Sequence, residues 1–136
     1  MGGGQVKLVD TSSWIEYLRD AESEAGNRVE ELVLTADAGW CDVTAVELWH
    51  GVRGAREKRD LAELEREVAL FPVDKEAWQK ARRLAVECRE AGLTVPVADI
   101  IIVATAARHG IDLEHCDRHF DKILPIAARL GRRGRS

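Results

Sequence analysis

A chain of 136 residues with 46% hydrophobic and 32% charged side chains suits one folded domain and is too apolar for intrinsic disorder. No apolar run approaches the roughly 20 residues that a bilayer span needs, and Met1-Gly2-Gly3-Gly4 lacks the basic-then-apolar pattern of an export signal, so a soluble cytoplasmic protein is expected. The formal charge of −4 gives no global attraction to nucleic acid, which leaves metal ions or a local basic patch to supply one. Arg53, Arg56, Lys58 and Arg59, or Arg132, Arg133 and Arg135, are candidates for such a patch, although both groups also suit a solvated helix connection and a frayed terminus. Cys41, Cys88 and Cys116 form no C-x-x-C pair, so neither a disulfide framework nor a zinc knuckle is implied and a reducing compartment fits.

Val6 to Val9 reads as a short buried strand ending at Asp10, and a helix follows with Ser13 and Glu16 at capping-box spacing. Ala25 to Leu34 places Val29, Leu32 and Val33 on one helical face. Gly39 to Val43 is a second strand, and Thr44 with Glu47 forms another capping box, opening a helix through Leu48 and Trp49 that weakens between Gly51 and Gly54. A charged helix then carries Leu61, Leu64, Val68 and Leu70 before a brief extended piece at Phe71-Pro72-Val73. Asp74 caps a long amphipathic helix that closes at Gly92.

Val97 to His109 is apolar nearly all round, as a helix buried between layers is. Ile111 to Cys116 reads as a third main strand, and Asp117 caps a short helix holding Phe120 and Ile123, with an apolar edge near Leu124-Pro125-Ile126. Alternating strands and helices predict an α/β fold of three layers around a short, mostly parallel sheet.

Four acids fall at equivalent places in this pattern. Asp10 ends the first strand, Glu47 lies in the first turn of a helix, Asp99 opens the buried helix, and Asp117 follows the last main strand. In open α/β sheets the carboxyl ends of strands and the adjoining helix N-termini form the ligand crevice. Each acid alone is explained by helix capping, worth about 0.3–1 kcal/mol at an exposed helix start. Jointly they are not, because carboxylates embedded among apolar residues and close to one another resist ionisation. A divalent cation removes the conflict, and carboxylate oxygens suit Mg²⁺ or Mn²⁺. Such ions activate water and neutralise phosphate oxygens during in-line phosphodiester hydrolysis. A phosphoacceptor domain would need an adjacent acidic pair after the first strand, where Asp10 is followed by Thr11.

Val9-Asp10-Thr11-Ser12-Ser13-Trp14-Ile15, Thr44-Ala45-Val46-Glu47-Leu48, the segment from Val97 to Ala106 and Cys116-Asp117-Arg118-His119-Phe120 resemble, in order, the four motifs of PIN domains, over about Val6 to Ile126. Chain length and the first motif look most like the VapC toxins. The resemblance implies residues 5–130 as the PIN domain, flanked by a disordered start or expression remnant at 1–4 and a basic flexible tail at 131–136. It implies an Mg²⁺- or Mn²⁺-dependent endoribonuclease that cuts transfer or ribosomal RNA to stop translation, forms a homodimer and is restrained by a VapB-type antitoxin.

By motif, Asp10, Glu47, Asp99 and Asp117 are the metal-site and catalytic acids, with a hydroxyl of Thr11 or Ser12 orienting the first. His115 stands where many relatives carry Thr or Ser, and His119 where an additional acid is frequent. Neither has metal-motif spacing, so both are read as contacts to substrate or to the neighbours of a ligand rather than as ligands. The alternatives to a toxin are a PIN-like module that binds nucleic acid or protein without turnover, and a PIN nuclease of RNA processing.

Overall fold

The computed structural model describes residues 5–133; the expected terminal segment at 1–4 and Arg135 lie outside them. Among the described residues, β1 (Lys7–Val9), β2 (Ala38–Cys41), β3 (Ala69–Phe71) and β4 (Asp112–Glu114) form one parallel sheet in the order β3-β2-β1-β4. The helices are α1 (Thr11–Arg19), α2 (Glu24–Leu34), α3 (Asp42–Gly51), α4 (Gly54–Glu67), α5 (Lys75–Glu90), α6 (Val97–His109) and α7 (Arg118–Arg133).

The two central strands are apolar because both their faces are covered, and side-chain alternation sorts their residues between two cores. Leu8 and Cys41 point into a core with Leu84 of α5, Ile102 and Val103 of α6, and Phe120 and Ile123 of α7. Val9 and Trp40 point the other way, against Trp14 of α1, Val29 of α2, Leu48 of α3 and Leu61 and Leu64 of α4. Trp14 meets Trp40 edge to face at 5.7 Å, which fixes α1 against β2. The expected three layers are therefore present.

Strands β1, β2 and β3 step toward one edge with α1 to α4 on one face. The chain then returns across the opposite face through α5 and α6 and adds β4 on the far side of β1. The direction of winding thus reverses at β1, and the crevice that such a reversal opens lies beyond the carboxyl ends of β1 and β4.

Several boundaries differ from the sequence reading. The extended piece is a true edge strand, Ala69–Phe71, so Leu70 leaves the helical face shared by Leu61 and Leu64. Strand β2 ends at Cys41 and α3 begins at Asp42, which puts Thr44 inside the helix and removes its capping role. Helix α7 is long and continues through Pro125 to Arg133, past the residue 131 at which a tail was expected. A mid-helix proline costs about 3 kcal/mol. Burial of Phe120, Ile123 and Ile126, with Leu130 packed against the same core, outweighs that cost.

Gly39 faces the neighbouring strand, where a Cβ would meet Phe71 Cδ2 at 2.8 Å and crowd Cε2 further. Gly39→Ala should therefore destabilise the protein by about 1–3 kcal/mol through overpacking, read as a melting temperature lowered by roughly 3–12 °C. Phe71→Ala in the same chain should relieve part of that loss; an unchanged melting point for Gly39→Ala alone would show that the ring yields freely.

Candidate metal centre

Asp10 sits where β1 becomes α1. Its backbone N–H still pairs with the Glu114 carbonyl at 3.0 Å, extending the β1–β4 ladder by one residue. Its carboxylate caps α1, with Oδ1 accepting from Ser13 N–H at 3.0 Å and Oδ2 from Ser12 N–H at 3.3 Å and Ser12 Oγ at 2.6 Å. Only 2% of Asp10 is exposed, and these three donors are what let a carboxylate stay at such depth. The capping box expected at Ser13 is not formed, since the Ser13 hydroxyl is buried without a hydrogen-bond partner among the described residues.

Of the two hydroxyls expected to orient Asp10, Ser12 does so and Thr11 does not. Thr11 Oγ1 donates instead to Glu47 Oε1 at 2.7 Å and lies 3.0 Å from Thr44 Oγ1. Thr44 and Glu47, three residues apart, share the face of α3 turned toward the start of α1. Glu47 itself is exposed and is tied to the crevice through Thr11.

Asp99 lies in the first turn of α6, and Asp117 immediately precedes α7, where its Oδ1 accepts from His119 N–H at 2.9 Å. His119 Nδ1 comes within 3.4 Å of Asp99 Oδ2 and 3.3 Å of Asp117 Oδ1. One ligand atom from each of the three lies within 4.8 Å of the others. Burial pushes the Asp99 carboxyl up from its ordinary value, and the Asp117 carboxylate adds to this; His119 opposes the shift, and the charge of Asp10 reinforces it. Asp10 is thus electrostatically part of the same centre, whereas Glu47 stands apart from the three-residue cluster.

The two histidines play different parts. His115 reaches the Asp117 carbonyl with Nδ1 at 3.1 Å, packs its ring on Phe120 at 5.1 Å and has Nε2 3.8 Å from Asp121 Oδ1, so it props the loop before α7. His119, not expected among the ligands, joins the cluster. No spacing motif marks it, because Asp117 and His119 meet Asp99 only through tertiary structure. The usable signal was the exchange of a frequent acid for an imidazole two positions after the fourth motif acid. Cys116, also missed, places Sγ 3.7 Å from Ser12 Oγ.

The residues present fit a divalent cation. Two carboxylates and an imidazole nitrogen converge, and an Asp99 carboxyl raised by burial and then by its anionic neighbours is what a bound positive charge would relieve.

A parallel sheet ordered β3-β2-β1-β4, with acids at the end of β1, at the start of α6 and after β4, defines the PIN class of domain. The family described as PIN domain matches residues 7–124, and the chain belongs to it. Within that family it is of the VapC type: ribonuclease VapC11 of Mycobacterium tuberculosis is 34% identical over 126 residues, covering 88% of this chain and 92% of that protein. The fold is also that of VapBC2 from Rickettsia felis, solved bound to a promoter DNA fragment (TM-score 0.71, 15% identity, 87% of this chain and 92% of that one). VapBC-5 of Mycobacterium tuberculosis, a member of a toxin–antitoxin family, is similar (TM-score 0.66, 22% identity, 87% and 90%).

Because the folded state holds Asp99 at a raised pKa, its ionisation costs the folded state more than the unfolded one; the loss is complete above the raised pKa and vanishes below the ordinary aspartate value. In metal-free protein Asp99→Asn should therefore melt higher than wild type near neutral pH, and the difference should close as pH falls through that window. Melting temperatures that stay equal at every pH would show that the fold does not disfavour the ionised Asp99 carboxyl.

Proposed function

We propose that this chain is the toxin of a toxin–antitoxin pair, an endoribonuclease dependent on Mg²⁺ or Mn²⁺ that hydrolyses transfer or ribosomal RNA and so blocks translation. The convergence of Asp99 and Asp117 at the carboxyl ends of β1 and β4, within the field of Asp10, carries the reading. Asp10, Glu47, Asp99 and Asp117 are assigned as the metal-site and catalytic acids. A cation held there supplies positive charge against the phosphate oxygens and a water activated for in-line attack. Asp10 is held rigid by Ser12 and Ser13, Asp117 is fixed by the first turn of α7, and Thr11 restrains Glu47.

The same reading assigns residues 5–130 to the catalytic domain, with α7 carrying the chain on to Arg133. A VapB-type antitoxin is the expected inhibitor, in keeping with the VapBC complexes whose fold this chain shares. A groove bordering Glu47, lined by Ile15, Leu18, Arg19, Arg53, Glu57 and Asp60, offers apolar contacts and charges of both signs. A homodimer belongs to the same reading. Free thiols at Cys41, Cys88 and Cys116 suit a cytoplasmic protein, and no described helix is long and apolar enough to cross a membrane.

Purified protein should cleave RNA with Mn²⁺ or Mg²⁺ and stop in chelator, and Asp10→Asn or Asp99→Asn should lower the rate at least about 100-fold with an unchanged circular dichroism spectrum. Metal-independent cleavage that survives both substitutions would reject the assignment. Sequencing RNA ends after brief induction, against an Asp99→Asn control, should yield discrete new ends that name the target.

A further inference from the structure

We infer that His119 is a direct nitrogen ligand of the metal centre and turns its preference toward Mn²⁺ and other transition-metal ions over Mg²⁺. The inference rests on the metal-dependent reading above and concerns which ion the site selects.

Nδ1 of His119 lies between two carboxylates of different elements, 3.4 Å from Asp99 Oδ2 and 3.3 Å from Asp117 Oδ1. Bonds of about 2.0–2.2 Å to one ion put neighbouring donor atoms roughly 3 Å apart, so these three atoms, now close enough to pair with one another, need move only slightly to share a cation. The position is built in rather than accidental. Asp117 Oδ1 accepts the His119 backbone N–H at 2.9 Å, and Phe120, the next residue, is fully buried, so the backbone carrying the imidazole is anchored on both sides. His115, also aromatic and close in sequence, holds the Asp117 carbonyl and is turned toward Asp121 and Phe120, so it offers the cluster no ligand atom.

An all-oxygen site suits Mg²⁺, which is hard and sheds water reluctantly. Replacing one oxygen by imidazole nitrogen favours ions that bond well to both atom types, with affinity rising from Mn²⁺ through the later transition metals. Asp10, Asp99 and Asp117 still provide the hard oxygens, so Mn²⁺ gains while Mg²⁺ loses a ligand.

Mn²⁺ titrated into the full chain and followed by pulsed electron paramagnetic resonance gives the test. The expected spectrum shows a directly bonded ¹⁴N that is absent in His119→Asp and in His119→Ala. Competition between the two ions should show the Mn²⁺-to-Mg²⁺ affinity ratio falling about tenfold in His119→Asp, which restores an oxygen donor. Bound Mn²⁺ with an oxygen-only spectrum, or an unchanged ratio in His119→Asp, would overturn this inference while leaving the nuclease reading intact. Failure of the wild type to bind either Mn²⁺ or Mg²⁺ would overturn both.

Discussion

The pairing of β1 with β4 is the interaction on which the molecule turns. These strands are far apart in sequence, yet their ladder continues past the last strand residue, through Asp10 N–H to the Glu114 carbonyl at 3.0 Å. That bond sets the first acid beside the segment leading to Asp117. Glu114 is itself buried and charged, and Arg28 of α2, at 2.8 Å, with Lys7 at 3.9 Å, compensates it. The pair ties the α2 layer to β4 from beneath the crevice. Losing Arg28 would leave the buried carboxylate with only the longer contact to Lys7, a larger penalty than losing a surface ion pair.

Around this junction the acids are not treated alike. Asp10 receives three hydrogen bonds and is nearly inaccessible, whereas Asp99 has an anionic neighbour and a half-exposed imidazole as its company. One carboxylate is fixed by the protein itself, and the other is held in tension that a cation would release. This division matches a centre whose geometry exists before the ion arrives and whose remaining electrostatic cost gives the ion its affinity.

Much of this was legible in the chain. The three layers follow from the apolar runs, because Leu8-Val9 and the segment from Ile100 to Ala106 are too uniformly apolar for anything but burial on several sides. The C-terminus of α6 was equally plain, since Gly110 adopts φ 66, a conformation that glycine accepts readily. Asp10, Asp99 and Asp117 could be placed at a strand end or a helix start because those are local events. The capping boxes misled for the same reason: Ser13 and Thr44 have the right spacing, but Asp10 and Cys41, each three positions earlier, occupy the true cap positions. His119, the role of Thr11 and the edge strand at Ala69–Phe71 depend on which segments become neighbours, and a single sequence does not encode that in any short pattern.

Strand β1 is three residues long, and Leu8 and Val9 are each wholly enclosed on opposite sides of the sheet. A slip of one position would send each into the other's cavity and shift Asp10 by about 3.3 Å along the strand, further than any bond between oxygen and a metal. Two greasy side chains of unequal shape therefore act as the locating pins of an ionic centre that neither of them touches. Variation at those two positions is accordingly a matter for the reaction as much as for the core.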